Sequence, residues 1–214
     1  MCLCKEAISI IDSPVPFDWA DQPFSANGFP RKPVTIVESG ILQDALADIA
    51  TGPIIGAEPT GAERVQSYNS VPLPRMSNIR LHIADAIPWE RAYGEVTPEE
   101  LYDFLLTKRL VMPHEEWCYL IGYRGGQVNV ISGDFVFNCT AIYRFKEGNI
   151  TLHQPAIFSG KMLEVLAAIR TGVGAMDIHR LGSCRKQGQS VPSSGGGPLF
   201  TLIEAHPHVR LGGQ

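Results

Sequence analysis

Short runs of β-branched and aromatic residues, separated by turns that carry glycine or proline, dominate the hydrophobic pattern of the chain. Val34–Glu38 precedes Ser39-Gly40 and Ile41-Leu42, which predicts a strand, a turn and a second strand. Residues 145–150 are typical of a hairpin connection, since Gly148 can adopt a positive φ. Further strands are predicted for residues 127–130, 135–137 and 141–145. Consecutive segments of this kind indicate antiparallel pairing.

A first helix is predicted from about Pro98 to about Lys108. Thr97 and Glu100 have the spacing of a capping box, and Pro98 suits the first helical position. The apolar residues at helical spacing form a stripe that should be buried: Leu101, Phe104 and Leu105.

A second helix is predicted between Ser159, as its N-cap, and Gly172, which stops it. Its apolar residues recur at helical spacing: Met162, Leu163, Val165, Leu166 and Ile169. This stripe is interpreted as the buried face of an ordinary helix that packs on the core.

These patterns predict an α+β fold dominated by antiparallel β-sheet that can curl into a barrel-like core, with two principal helices packed on it. Residues 1–33 contain five prolines and little regular pattern, so they are predicted to be an irregular N-terminal segment that wraps the domain formed by residues 34–214. Residues 68–78 carry two prolines and are predicted to be a loop.

Composition and charge exclude several classes of function. The chain has 214 residues, of which 44% are hydrophobic and 19% charged, so it can bury a substantial core. A net charge of -4 without any lysine or arginine run predicts neither nucleic acid nor an anionic membrane as a partner. No apolar stretch approaches the roughly 20 residues of a membrane span. Residues 1–6 lack the features of a secretory signal, so a cytoplasmic location is predicted.

The five cysteines form an odd and irregularly spaced set with no CxxC pair, which argues against both a disulfide framework and a self-contained zinc finger. Cys118 and Cys139 lie in apolar surroundings and are interpreted as core residues. Cys184 lies in a glycine-bearing segment and is considered below. A Cys/His nucleophilic pair that uses Cys184 and one of the six histidines stays open as a minor alternative.

Other motifs carry no catalytic prediction. The stretch Gly195–Pro198 does not connect a strand to a helix and has no following lysine, so a tight turn between strands is predicted instead of a phosphate loop. The segment at His114 is not HExxH, because Cys118 stands in place of the second histidine. His206-Pro207-His208 is predicted to lie at the surface or at a sheet edge. No GxSxG elbow is present.

Four sequence blocks follow one another in an order typical of one family. They are Val37–Leu42, residues 59–78 with Pro74-Arg75-Met76-Ser77-Asn78, residues 126–137 with Ser132-Gly133-Asp134, and Gly182–Pro192, which reads GSCRKQGQSVP. These blocks resemble segments of the TldD/PmbA zinc peptidases, and the last is similar to GTCGKEGQSVP of that family. The blocks at residues 74–78 and 182–192 are the most specific, and they favour the TldD branch. The resemblance runs from about residue 10 to the C-terminus and implies a TldD/PmbA-like C-terminal domain.

The resemblance implies a role for one residue of this chain. In the family, zinc is held by the two histidines of an HExxxH helix and by a cysteine near the C-terminus, with the glutamate as general base. That cysteine corresponds to Cys184, which is therefore the predicted metal ligand. A thiolate suits zinc as a soft ligand, and Arg185 and Lys186 would favour the thiolate form. No catalytic residue is assigned to this chain.

The sequence departs from the family because none of its histidines begins an HExxxH motif. The implied function is zinc-dependent hydrolysis of peptides or unfolded segments, to which this chain contributes Cys184 and part of the chamber wall. The zinc site would be shared with an HExxxH-bearing TldD-like chain or N-terminal half. Three interpretations stay open: a split subunit, a piece of a longer protein, or a degenerate member. A non-catalytic structural subunit of a TldD/PmbA-type dimer is the alternative function, and a dimer is expected in either case.

Overall fold

The computed structural model describes residues 1–154 and 156–213. In chain order its elements are β1 (Ile8–Asp12), β2 (Val34–Glu38), β3 (Ile41–Leu42), α1 (Gly52–Ile55), β4 (Glu63–Arg64), β5 (Leu73–Pro74), β6 (Asn78–Ile83), α2 (Pro98–Thr107), β7 (Trp117–Val128), β8 (Asp134–Lys146), β9 (Asn149–His153), β10 (Ala156–Lys161), α3 (Met162–Ala168), β11 (Ile169–Lys186), β12 (Gln189–Ile203) and β13 (Val209–Gly213). Within the described residues, no helix combines the length and hydropathy needed to cross a bilayer.

The chain folds into two compact units, of which the first comprises residues 1–90 and 171–202. Its six-stranded sheet has the order β11-β12-β6-β1-β2-β3, and β12 pairs with β6 in parallel whereas β1 pairs antiparallel with both β2 and β6. The predicted strand at Val34–Glu38 and the turn after it are confirmed. Ser39 and Gly40 both have positive φ, at 47° and 76°, which returns the chain into β3.

The N-terminal segment differs from its prediction, because Ile8–Asp12 forms a strand at the interior of this sheet. Ile8 and Asp12, at its two ends, are 1% and 0% exposed. A five-residue run gives little periodicity, and pairing with β2 and β6, distant in sequence, stabilises it. The proposed domain division at residue 33 stays a prediction.

The glycine-rich stretch is the second difference. Gly195 and Gly196 do not form a turn but lie within β12, opposite Ile79 and Arg80 of β6. A Cβ on Gly195 would lie 2.6 Å from the Ile79 carbonyl oxygen, and one on Gly196 only 1.9 Å from that of Asp177. Glycine is therefore required by the close approach of neighbouring backbones, not by a turn.

The second unit comprises residues 91–170 and 203–214 and contains a sheet of order β13-β10-β8-β7, with β9 also paired to β8. All these pairs are antiparallel, as predicted. The predicted strands at 135–137 and 141–145 belong to the longer β8, whereas only Gln127 and Val128 of the strand predicted at 127–130 lie in β7. The hairpin at Gly148 is confirmed, with positive φ at Glu147 and Gly148. The α+β class is confirmed, and among the described residues no sheet closes into a barrel.

Helix α2 agrees closely with its prediction. The Thr97 hydroxyl accepts a hydrogen bond from the Glu100 amide at 3.2 Å, and the Glu100 carboxylate accepts one from the Thr97 amide at 2.9 Å. Leu101 and Leu105 are buried, and the ring of Tyr102 stacks on Phe145 with centroids 4.9 Å apart. The helix begins where its local capping signals placed it.

Replacing Thr97 with alanine is expected to lower the free energy of unfolding by about 1 kcal/mol, since it leaves the Glu100 amide in the first turn without its side-chain acceptor. Urea unfolding followed by circular dichroism measures the change. Thr107→Ala, at the exposed C-terminal end of the same helix, is the matched control and should cause no loss. Equal losses in both variants would contradict the capping role.

Helix α3 is shorter than predicted and begins later. Ser159 belongs to β10, where it lies opposite Val136, and Lys161 is the N-cap instead. Met162 and Leu163 are 44% and 48% exposed, and the only buried residue of the helix is Ala168. The predicted core-facing stripe is therefore wrong for Met162 and Leu163, whereas Val165 and Leu166 are half-buried and Ile169, the first residue of β11, is 3% exposed. Strand pairing, which depends on residues far away in sequence, overrides the local helical spacing at the start of this segment.

The cysteines of the second unit are core residues, as predicted. Cys139 is 9% exposed and packs with Ile142 and Ala156, while Cys118 lies against this cluster. Burial raises the pKa of both thiols. These two cysteines are consequently inert packing groups under ordinary conditions.

Candidate functional site

Cys184 lies on a hairpin that we call the cysteine hairpin, residues Gly182–Pro192. Strands β11 and β12 are joined there by Gln187 and Gly188, whose φ values of 50° and 75° are those of a tight two-residue turn. Cys184 is half-buried, whereas the residues beside it in sequence are exposed. The predicted ligand thus lies in an accessible position, outside the apolar core.

The structure brings together the two sequence blocks that are most specific to the family resemblance. Arg75, from the Pro74–Asn78 block, donates through Nη2 to the backbone oxygen of Cys184 and to that of Gln189, the latter at 3.1 Å. In return, Lys186 Nζ donates to the Pro74 carbonyl at 3.2 Å. The blocks are more than 100 residues apart in sequence, so their contact is a property of the fold.

The predicted loop of residues 68–78 contains the short strand β5 and the first residue of β6, and it is otherwise irregular. Hydrogen bonds connect this segment to the cysteine hairpin. Gln189 Nε2 donates to the Val71 carbonyl at 2.8 Å, and Gln189 Oε1 accepts from the Gln66 amide at 3.2 Å. The Gln66 side chain accepts from the Ser190 amide at 2.7 Å. Paired glutamine side chains therefore hold the loop beside Cys184.

Further side chains bind the backbone of the same hairpin. Arg64 donates through Nη1 to the carbonyls of Pro192 and Met76, and Trp19 Nε1 donates to the Gly182 carbonyl at 3.1 Å. Four carbonyls of the cysteine hairpin, those of residues 182, 184, 189 and 192, each accept from a side chain elsewhere in the first unit. The hairpin is thereby fixed at both ends and at Cys184.

A buried ionic cluster lies next to this hairpin. It consists of five charged residues that are at most 8% exposed: Asp12, Arg31, Glu63, Arg64 and Arg75. Arg31 forms an ion pair with Asp12, and Asp12 Oδ1 also accepts from the Ser77 amide at 2.9 Å. Three guanidinium groups against two carboxylates leave the cluster with one excess positive charge.

Electrostatic interactions connect the cluster to Cys184. Burial lowers the pKa of Arg64, and the positive charges of Arg31 and Arg75 lower it further, while a thiolate at Cys184 acts in the opposite direction. Burial likewise lowers the pKa of Arg31, opposed by the charges of Asp12 and Glu63. Cys184 is therefore within electrostatic reach of a buried guanidinium.

The ionic cluster was not predicted from the sequence as part of the site. Glu63, Arg64 and Arg75 all lie within the recognised block at residues 59–78, but none of them received a role. Charged residues are rarely buried, so no hydrophobic pattern marks such positions.

Among the residues described, no group of three or more histidine, cysteine or acidic side chains is placed to hold a metal ion. Cysteine thiolates are soft ligands for zinc, and Cys184 is a free, half-buried cysteine on the cysteine hairpin. His206 and His208 lie just before β13, the edge strand, as predicted, and His206 Nε2 is 3.3 Å from Glu164.

Comparison with known proteins identifies the family that this chain resembles. The profile of the PmbA/TldA metallopeptidase C-terminal domain matches residues 3–198. A metalloprotease of Methanothermobacter thermautotrophicus is 31% identical over 210 residues, which cover 98% of this chain and 40% of the relative. A zinc metalloprotease TldD homolog of Saccharolobus solfataricus is 29% identical over 191 residues, 89% of this chain and 38% of the relative.

The solved structure of TldE from Thermococcus kodakarensis superposes with a TM-score of 0.59 at 13% identity, over 91% of this chain and 38% of that protein. At this identity the likeness concerns the fold. The chain spans about 40% of the length of the Methanothermobacter relative.

Proposed function

Because the chain belongs to the PmbA/TldD metallopeptidase family, as its C-terminal domain, we propose that it supplies one zinc ligand, Cys184, to a cytoplasmic peptidase completed by an HExxxH-bearing half. The observation that carries this proposal is the fixation of the cysteine hairpin. Four of its carbonyls accept from side chains elsewhere in the first unit, while the Cys184 side chain stays half-buried. A ligand held in place before the metal arrives loses little conformational entropy on binding it.

The residues of this chain have two tasks in the proposed peptidase. Cys184 offers a thiolate from a fixed backbone, and the ordered loop beside it forms part of the chamber wall. That loop exposes Tyr68 by 99% and Val71 by 69%, which suits contact with the side chains of extended peptides or unfolded segments. Zinc, when bound, supplies a Lewis acid and a water of lowered pKa. The histidine pair and the general-base glutamate come from the completing half.

Co-expression with an HExxxH-bearing, TldD-like N-terminal half tests the proposal. We expect a stable complex that retains close to one zinc per site after gel filtration, as measured by metal analysis. A stable complex without zinc would favour the alternative, in which the chain is a non-catalytic structural subunit of a TldD/PmbA-type dimer. Absence of any complex would contradict both functions.

The chain without its completing half is expected to hold well under one zinc and to cleave no peptide, because a single thiolate leaves most of the coordination positions to water. Metal analysis after gentle purification and an oligopeptide cleavage assay check the two parts. A stoichiometric, chelator-resistant zinc, or zinc-dependent cleavage by the pure 214-residue protein, would contradict this expectation.

Self-association is also proposed for the isolated chain. Several large apolar side chains are strongly exposed, among them Ile54 at 81%, Val130 at 87% and Ile131 at 95%. Exposed apolar surface favours association, and closed two-fold dimers are its commonest form in soluble proteins. Light scattering at micromolar concentration is expected to give roughly twice the chain mass of 23.4 kDa. A strict monomer would contradict the proposal.

A further inference from the structure

We infer that Arg75 is a positioning residue for Cys184, an inference that rests on the proposed role of that cysteine as a metal ligand. The Arg75 guanidinium donates through one nitrogen, Nη2, to the backbone oxygens of Cys184 and Gln189. These residues lie on opposite sides of the Gln187-Gly188 turn. One buried group therefore connects both strands of the hairpin at the level of the predicted ligand.

Arg75 can set the position of the hairpin because it is itself fixed. Its side chain is among the largest that are fully buried, with the residue 2% exposed. Its backbone amide donates to the Ala62 carbonyl at 3.0 Å, and its own carbonyl accepts from Arg31 Nη2 at 3.5 Å. The guanidinium hydrogen-bonds through Nη2 to the hairpin, while Nε and Nη1 have no partner among the described residues, so this enclosed group can set the position of the Cys184 backbone.

The hairpin requires such support because β11 is an edge strand of its sheet. The ends of edge hairpins open more readily than central strands, and exposed residues flank Cys184. Zinc–sulfur bonds form at about 2.3 Å, and ligand distances tolerate deviations of only about 0.2 Å. A small rotation of the Cys184 backbone would therefore misplace its sulfur.

The other side chains that form hydrogen bonds with the hairpin either bind carbonyls other than that of Cys184 or belong to exposed residues. Arg64 binds the Pro192 carbonyl and Trp19 that of Gly182, whereas Arg75 binds the carbonyl of Cys184 itself. Lys186 is exposed and reaches outward to Pro74. Arginine also differs from lysine here, since its planar fork holds a donor direction that a single ammonium cannot reproduce.

The first test uses the 214-residue chain and requires no metal. Hydrogen exchange resolved to residues 182–192 is compared between the wild type, Arg75→Lys and the matched control Arg31→Lys. Arg31 is also a buried arginine of the cluster, but it binds Asp12, Ser77 and the Arg75 carbonyl, and none of its hydrogen bonds reaches the hairpin. We expect exchange in the hairpin to become at least about tenfold faster in Arg75→Lys, because a charge-assisted bond is lost, and to change little in Arg31→Lys. Unchanged exchange in Arg75→Lys, or equal acceleration in both variants, would overturn the inference.

The second test uses the complex with the HExxxH-bearing half. Arg75→Lys is expected to weaken zinc binding by about 10- to 100-fold, the usual effect of losing a group that orients a ligand. The thiolate-to-metal absorption band of the cobalt(II)-substituted complex should shift or weaken, whereas Arg31→Lys leaves it unchanged. A zinc affinity and a cobalt band equal to those of the wild type would overturn the inference.

The two tests separate failure of the inference from failure of the proposed function. If Cys184→Ser leaves zinc binding by the complex intact, the ligand role is wrong, while hydrogen exchange still reports whether Arg75 orders the hairpin. If Arg75→Lys does not fold, Arg75→Gln, which removes the buried charge instead of retaining it, takes its place. Unfolding of both Arg75 variants, with a folded Arg31→Lys, would show a general structural role and overturn the inference.

Discussion

Replacing Cys184 with serine in the completed peptidase is expected to lower kcat/KM for peptide cleavage by more than about 100-fold. Loss of a group that merely orients a ligand costs about 10- to 100-fold in metal affinity or activity, and loss of a ligand itself should exceed that range. Serine matches cysteine in shape and keeps the backbone bonds of the hairpin, but its hydroxyl is a poor ligand for zinc at neutral pH. The loss of activity should therefore come from the missing zinc ligand and not from a change in the fold of the hairpin.

Cys2→Ser provides the matched control for this experiment. Cys2 is an exposed thiol outside the cysteine hairpin, so its replacement removes a thiol of the same kind without touching the proposed site. Zinc content and initial cleavage rates of an oligopeptide should fall together in Cys184→Ser and stay at wild-type levels in Cys2→Ser. Wild-type activity with full zinc occupancy in Cys184→Ser would show that the metal has another third ligand.

Elements with local signals were predictable from the sequence. Helix α2 begins at Pro98 because its capping box and its apolar spacing are contained within a few residues. The turn at Ser39-Gly40 and the hairpin at Gly148 are likewise determined by residues that can adopt positive φ. In each case the physical cause lies inside the element itself.

Elements that depend on distant partners were not predictable in the same way. Ser159 has the residue type of an N-cap but pairs with Val136 in a strand. The glycines at 195 and 196 serve the packing of β12 against its neighbours instead of a turn. Both outcomes follow from backbone contacts across the sheet, which no window along the sequence contains.

The same distinction between local signals and distant contacts applies to the candidate site. Cys184 was identified through a resemblance that spans a continuous block of residues. Its contact with Arg75 joins two such blocks, and the burial of Asp12, Arg31 and Glu63 depends on the packing of the first unit. Charged residues carry no sequence signal for burial, so the cluster could be found only from the fold.

Breaking the buried ion pair should produce the largest loss of stability in the first unit. Asp12→Asn preserves the shape of the side chain and an oxygen for the Ser77 amide, but it leaves Arg31 without its hydrogen-bonded counter-charge. The pair is fully buried, with side-chain exposures of 2% for Arg31 and 0% for Asp12. Removal of one partner from such a pair costs about 3–5 kcal/mol. Domains are commonly stable by only about 5–15 kcal/mol, so the variant should unfold at markedly lower urea concentration.

Asp134→Asn is the matched control, because it makes the same chemical change in an exposed ion pair. Asp134 lies 3.2 Å from Lys161, and both side chains are about half exposed. Water and salt screen such pairs, so the midpoint of urea unfolding should move little. If Asp12→Asn shifts the midpoint no more than Asp134→Asn does, the buried ion pair does not stabilise the fold.

The double variant Asp12→Asn/Arg31→Met separates the loss of a favourable pair from the cost of an unpaired charge. Asp12→Asn alone raises the excess charge of the cluster from one to two, because three guanidinium groups then face only Glu63. Removing Arg31 as well returns the excess to one, while the asparagine oxygen can still accept from the Ser77 amide. The double variant should therefore be more stable than Asp12→Asn, with a coupling energy of about 1–3 kcal/mol in the double-mutant cycle. Strict additivity would mean that Asp12 and Arg31 do not stabilise each other, and that Arg31 is compensated by Glu63 rather than by Asp12.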